Sequence, residues 1–245
     1  MISCKTCGRL GNFLFQFSAV YGHARKHGFD WCMPAKSMQE RLWPTPKFKN
    51  IKYCSPQPGK LFQEKSPAYQ EIPAEDKLVL EGYWQSEKYM HEFKREIAEI
   101  LEFERRETDY VAVHVRRGDY LQFPEQFPVL PIDYYANAIA HMRGIGFRKF
   151  QIFSDDIKWC MQNFVTHSFV YEEFEFNTGN TPIGDMRDIY NGSAIIAANS
   201  TFSLFPALLR DDNPIVIAPA DHRWFGPQAQ NLMSVDRVPE RFIKL

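Results

Sequence analysis

Apolar and polar positions change their period along the chain, and each change marks an element. Between Phe13 and Lys26 apolar residues recur at helical spacing, at Phe13, Phe17, Val20, Tyr21 and Ala24, which predicts a helix. Gly28 stands where a helix usually stops. Ile2 to Cys4 reads as a short strand before it, so the chain opens as strand, glycine turn, helix. The stretch that follows breaks the pattern. Pro34, Pro44, Pro46, Pro56, Pro58, Pro67 and Pro73 interrupt it, which predicts irregular structure with short strands. Leu78-Val79-Leu80 reads as a strand, and Ser86 as the cap of a helix running to about Leu101. The charged segment Glu102 to Asp109 is the best domain boundary, giving domains 1–105 and 106–245.

Beyond Asp109 short apolar runs alternate with amphipathic ones. Strands are expected at Tyr110–His114, Phe150–Phe153, Phe169–Tyr171, Ala194–Ala197 and Pro214–Ile217. Between them fall helices at Ile132–Met142, Asp156–Asn163 and Gly184–Tyr190, a turn or helix over Ser200–Leu209, and finally a polar tail. Such alternation predicts an α/β fold with a parallel sheet covered by helices on both faces.

Composition narrows this modestly. A chain of 245 residues with 44% hydrophobic content can bury a sizeable core in one large or two small domains. The net charge of -1 provides no basic field for nucleic acid. No secretory apolar segment and no run of about 20 apolar residues occurs. The expectation is therefore a cytoplasmic protein without an integral membrane segment, with attachment to the inner face of a membrane left open. Cys4, Cys7, Cys32, Cys54 and Cys160 are odd in number and scattered, which favours reduced thiols over a disulfide framework. Cys4 and Cys7 form one C-x-x-C followed by a glycine turn, so they read as structural rather than redox or zinc-binding. Two glycosylation-type triplets, at Asn191 and Asn199, mean little without an export signal.

The chemistry concentrates at expected strand ends. His114-Val115-Arg116-Arg117-Gly118-Asp119-Tyr120 follows a buried strand, at the end where open α/β sheets bind ligands. A guanidinium suits phosphate because its planar fork makes two parallel charged hydrogen bonds. Neighbouring strand residues point oppositely. We therefore assign the ligand to Arg116, on the face of His114, and expect Arg117 to hold the loop with Asp119 as partner. His114 is either a packed strand residue or a base. Gly8-Arg9-Leu10-Gly11-Asn12 is a turn that can present backbone N–H groups to phosphate, or only a turn. In Ser154-Asp155-Asp156 one carboxylate can accept from guanine and the other cap a helix, or both are caps. Asn199-Ser200-Thr201-Phe202-Ser203 opens a helix and serves as a phosphate cradle, an N-cap or both. Trp84 stacks on a sugar or fills a domain interface. No metal-ligand spacing and no D-x-D beside an apolar strand appears, which points to phosphate charge met by Arg and helix dipoles.

Taken together, these blocks resemble the α-1,2-fucosyltransferases of glycosyltransferase family 11. The family's glycine turn is matched by Gly8 to Gln16, its Gly-Tyr-Trp-Gln-Ser-Glu-Lys-Tyr element by Gly82 to Tyr89, and its His-x-Arg-Arg-Gly-Asp-Tyr motif by His114 to Tyr120. Phe153 to Ile157 and Asn199 to Ser203 match two further blocks in order. Where the family continues Trp-Trp-Gly-Ala-Trp-Leu, this chain has Leu204 to Leu209, with Pro206 expected to shorten the helix; Met186-Arg187-Asp188 also differs. The resemblance implies a GT-B fold of two Rossmann-like halves facing a cleft, with an acceptor-side N-terminal half and a C-terminal half that binds GDP-sugar. It implies metal-independent, inverting transfer of L-fucose from GDP-fucose to the 2-hydroxyl of a galactose-containing glycan or lipopolysaccharide-type acceptor, with no further cofactor. Arg116 and Asn12 would hold the β-phosphate, supported by Gly8, Arg9 and Gly11. Ser200, Thr201 and the Phe202 backbone would hold the pyrophosphate, and Asp155 and His114 the guanine or ribose. Asp119 is the candidate base, because a carboxylate beside a ligand-facing Arg stays ionised. Two other expectations share the fold: a non-catalytic nucleotide- or glycan-binding protein, and a transferase for another GDP-sugar.

Overall fold

The computed structural model describes residues 1–35, 47–55, 57–166, 174–233 and 235–245. The chain divides into two compact units, Met1–Phe103 with Ser234–Arg237, and Glu104–Met233 with Val238–Leu245.

In unit 1, β1 (Ser3–Lys5) leads into α1 (Leu10–His27). This helix is buried over most of its first four turns, including Phe13, Phe15 and Phe17, which is why it reads as apolar around much of its circumference. Arg25, Lys26 and His27 occupy its last turn, where cations complement the helix dipole. Gly28 ends it in the left-handed region at φ 69°. The short strands β2 (Met33–Pro34) and β3 (Tyr53–Cys54) pair with each other in parallel. A separate parallel sheet has β5 (Leu78–Glu81) between β1 and β4 (Lys60–Gln63). Ser86 does act as a cap, accepting from the Lys88 N–H at 3.3 Å. It opens two 3-10 turns, Glu87–Tyr89 and His91–Phe93, before α2 (Lys94–Ile100), rather than one continuous helix.

The cysteine expectation is overturned here. Pairing of β2 with β3 brings the Cα atoms of Cys32 and Cys54 to 5.9 Å, and the two form a disulfide. Their spacing of 22 residues concealed a contact made by strand pairing. Cys4, Cys7 and Cys160 are free, and burial pushes the Cys4 and Cys7 thiols up, away from the reactive thiolate.

Unit 2 is built from β6 (Val111–Val115), α3 (Ile132–Gly144), β7 (Phe150–Ser154), α4 (Ile157–Thr166), β8 (Phe174–Phe176), α5 (Pro182–Asn191), β9 (Ala194–Ile196), α6 (Thr201–Leu209), β10 (Ile215–Ala218) and β11 (Ile243–Lys244). The strands form one sheet in the order β11-β10-β9-β6-β7-β8, and every pairing is parallel. All five residues of β6 are buried, as expected of a parallel strand covered on both faces. Val113, Ile152 and Ile196 join Tyr134, Tyr135 and Ile139 of α3 in the core. The strand expected at Phe169–Tyr171 lies outside the described residues; the third strand of this unit is Phe174–Phe176. Pro206 does not shorten α6, which runs on to Leu209. Within the tail read as polar, Ile243–Lys244 adds the edge strand. Among the described residues no helix is long and apolar enough to cross a membrane.

Candidate active site at the switch point of the six-stranded sheet

Counted from the first strand of unit 2, the sheet order is 3-2-1-4-5-6, the doubly wound order of dinucleotide-binding folds. The direction of winding reverses between the first strand, β6, and the fourth, β9, which are hydrogen-bonded neighbours with Val113 opposite Ile196. In doubly wound folds the loops at such a switch point bind the ligand. The sequence places His114 to Tyr120 after the first and Asn199 to Ser203 after the second.

The two segments are fastened together. Nδ1 of His114 lies 2.9 Å from the Ser203 hydroxyl, and the His114 ring stacks on Phe202 with centroids 5.1 Å apart. The Tyr120 hydroxyl donates to the Asn199 carbonyl at 3.0 Å. Ser203 also accepts the Ala198 N–H at 3.2 Å, and the Ser200 side chain caps α6 by accepting from the Phe202 N–H at 3.3 Å. Thr201 is the first residue of that helix. The structure thus brings His114, Ser200, Thr201 and Phe202 into one locale. Ser203 was missed as a functional residue, because the sequence shows it three positions after a cap but cannot show a contact 89 residues back along the chain.

His114 is 3% exposed, and its pKa is lowered to about 3, first by burial and then by the Arg116 charge. It is therefore a neutral imidazole at physiological pH, a rigid wall rather than a cation.

The arginine pair corrects one expectation. Arg116, not Arg117, pairs with Asp119, through Nη2, while Nη1 of Arg116 lies 2.7 Å from Oδ2 of Asp155. Its guanidinium also covers the Tyr120 ring at 5.2 Å. Arg117 does hold the loop, but through Asp156 at 3.0 Å and by stacking 3.8 Å over Trp159 of α4. The reason is local: residues Gly118–Gln122 form a 3-10 turn, and this turns Asp119 back over the residue three positions before it. Asp156 also accepts from the Trp159 N–H at 3.3 Å, so it caps α4 as well. Asp155 is engaged within the loop, its Oδ1 accepting the Arg117 N–H at 2.9 Å. A side chain on Gly118 would place a Cβ 2.3 Å from Oδ2 of Asp155, which accounts for glycine there.

Unit 1 carries the other two blocks. Gly8 adopts φ 76°, and a Cβ on it would lie 2.0 Å from Nδ2 of Asn12. The helix begins earlier than its periodicity predicts, at Leu10, so Gly11 and Asn12 belong to its first turn and Arg9 is the N-cap. Buried Gln16 donates to the carbonyls of Cys7 at 3.1 Å and Gly82 at 2.9 Å, and Gln85 donates to Oδ1 of Asn12 at 2.8 Å. The Gly8–Gln16 and Gly82–Tyr89 blocks are therefore one hydrogen-bonded assembly. Trp84 is a core residue of unit 1. It is fully buried, between Phe62 at 6.0 Å and Tyr89 at 5.4 Å of its own unit. Glu64 accepts the backbone N–H groups of Tyr83 and Trp84 at 2.7 and 2.9 Å, fixing Trp84 at φ 57°. Among the described residues no three His, Cys, Asp or Glu side chains converge as metal ligands would.

The chain is similar in sequence and in fold to known proteins. An alpha-1,2-colitosyltransferase of Escherichia coli is 32% identical over 181 residues, covering 67% of this chain and 61% of that protein. The Escherichia coli O-antigen biosynthesis glycosyltransferase WbnK is 30% identical over 152 residues, covering 60% of this chain and 47% of that protein. The aligned regions thus span about three fifths and about half the length of these curated relatives. Among solved structures, the fucosyltransferase NodZ from Bradyrhizobium superposes with a TM-score of 0.52 at 12% identity, over 87% of this chain and 96% of that one. The NodZ alpha-1,6-fucosyltransferase soaked with GDP-fucose gives 0.50 at 12% identity, with the same coverage. At that identity the likeness establishes the fold, which is GT-B. The profile of glycosyl transferase family 11 matches residues 1–224, and the chain belongs to that family.

Proposed function

We propose that this chain transfers L-fucose from GDP-fucose to the 2-hydroxyl of a galactoside acceptor, with inversion and without a metal. The observation that carries this reading is the switch point of the six-stranded sheet, where Arg116 and the Ser200 turn follow adjacent strands in a member of glycosyl transferase family 11. Arg116 binds the β-phosphate. Ser200, Thr201 and the Phe202 backbone, at the amino end of α6, bind the pyrophosphate. His114 and Asp155 line the nucleoside side. Gly8, Arg9, Gly11 and Asn12 form a second binding element, carried by unit 1. The acceptor oxygen forms a bond to the anomeric carbon, and the bond from that carbon to the β-phosphate oxygen breaks, its electron pair leaving with GDP. Asp119 takes the hydroxyl proton. The charge developing on the leaving diphosphate is met by guanidinium and amide donors. The proposed setting is synthesis of an O-antigen-type glycan, the process in the name of one relative.

A second donor is favoured by the relative that transfers colitose. The test offers GDP-fucose and GDP-colitose in parallel, with lactose or lacto-N-biose as acceptor and EDTA present, and assigns the product linkage by NMR. An α-linked 2-O-fucosyl product is expected. Transfer from GDP-colitose alone would move the assignment to that sugar. Donor binding without transfer to any acceptor would make the chain a binder, and dependence on Mn²⁺ would remove the metal-free mechanism.

A further inference from the structure

We infer that Arg223 is a second cation for the diphosphate of the donor, carried on the loop that flanks the Ser200 turn on the side away from Arg116. The inference rests on the donor reading above and deepens it. In the six-stranded sheet β9 lies between β6 and β10, and all three strands run parallel. Their carboxyl ends therefore stand side by side, about 5 Å from strand to strand. The loop after β6 carries Arg116, and the loop after β9 carries Ser200 and Thr201. The loop after β10 carries Arg223, in the 3-10 turn Asp221–Arg223. The amide-rich turn thus has an arginine-bearing loop on each side.

The backbone of Arg223 is fastened to the Ser200 turn. Buried Asn199, which immediately precedes Ser200, donates through Nδ2 to the carbonyls of Pro128 at 2.8 Å and Arg223 at 3.1 Å. On the other side of Arg223, buried Trp224 donates its indole N–H to the Pro219 carbonyl at 3.0 Å. The Arg223 charge reaches the end of β9, where it acts on Tyr134, whose hydroxyl donates to the Ala197 carbonyl at 2.6 Å. What the fold leaves out is a counter-charge. Arg116 faces Asp119 and Asp155, and Arg117 faces Asp156. Among the described residues no carboxylate pairs with Arg223, and its buried Nε has no hydrogen-bond partner. Asp221, two positions earlier, is held by Lys244 at 3.2 Å. A guanidinium N–H taken out of water without an acceptor destabilises the unliganded protein. A phosphate oxygen removes that deficit, and the planar fork can give it parallel charged hydrogen bonds.

The test is calorimetric titration of GDP and of guanosine into wild-type protein, Arg223→Gln and Arg223→Lys, after melting curves without ligand. Arg223→Gln is expected to melt as wild type does, because the guanidinium serves no partner in the fold. It is expected to bind GDP about tenfold more weakly or worse, and to bind guanosine, which carries no phosphate, as wild type does. Arg223→Lys keeps the charge without the fork and is expected to recover part of the loss. GDP binding by folded Arg223→Gln within twofold of wild type overturns the inference and leaves the donor reading standing. An equal loss for GDP and guanosine overturns the phosphate role. A melting transition lowered in both variants assigns the side chain to the fold and overturns the inference as well. Failure of wild-type protein to bind GDP at all overturns the donor reading itself.

Discussion

Two strand-turn-helix passages carry blocks proposed to bind the donor, and they are stiffened by opposite means. The turn between β1 and α1 is held by what is missing: Gly8 has no side chain, sits at φ 76° and lies under Asn12, and the N-cap Arg9 makes no side-chain cap bond. The turn between β9 and α6 is held by what is present: Ser200 caps the helix and Ser203 ties it to Ala198 and His114. The first turn therefore tolerates no added atom, whereas the second tolerates no lost hydroxyl.

Substitutions can break this contrast. The largest expected effect is on chemistry in unit 2. Arg116→Ala should lower kcat/KM by about 3 kcal/mol or more, over a hundredfold, the scale of one lost charge-stabilising donor. A rate within threefold of wild type would remove Arg116 from the site. Acid should weaken the His114 tie. The folded-state pKa, lowered to about 3 from 6.5, means that the unfolded chain binds a proton that the folded chain refuses. The stabilisation is complete above about pH 6.5 and is lost as pH falls toward 3, with a slope approaching 1.4 kcal/mol per pH unit. Thermal melts from pH 7 to 4 should show this slope flattened in His114→Gln; an identical slope would contradict the buried neutral imidazole. Gly8→Ala should cost about 1–3 kcal/mol in chemical denaturation, because the added Cβ meets Asn12 in a left-handed conformation. Ser200→Ala should cost about 1 kcal/mol, the usual worth of an N-cap. If Gly8→Ala proved the milder of these last two, the contrast between the turns would be wrong.

Much of this was legible before any coordinates. The strands of unit 2 announce themselves because burial on both faces makes them continuous apolar runs, as in Val111–Val115, and local caps such as Ser86 and Ser200 follow from short-range hydrogen bonding. What escaped depends on distant partners. The Cys32–Cys54 bond follows from the pairing of two-residue strands too short to carry a period. The partner of Asp119 was misassigned because alternation of side chains was extended past the end of β6, where the chain enters a 3-10 turn. The early start of α1 was hidden because Leu10, Gly11 and Asn12 read as turn formers, yet Leu10 and Gly11 are buried in its first turn. Trp84 read as a sugar platform or an interface filler, because an aromatic beside a glycine gives no sign of its depth, and only its packing on Phe62 and Tyr89 shows that it is buried.

The strand that delivers Arg116 is the first of unit 2 to be synthesised, yet it lies in the middle of the finished sheet, between β7 and β9. Its second neighbour emerges only after α5, and β11 closes the far edge with Ile243 and Lys244. Pairings so distant in sequence slow folding, because a long loop must close before any contact rewards it. During synthesis this buried strand therefore waits with one edge bare, so growth at low temperature or added chaperone should raise the yield of folded protein more than any improvement to the surface.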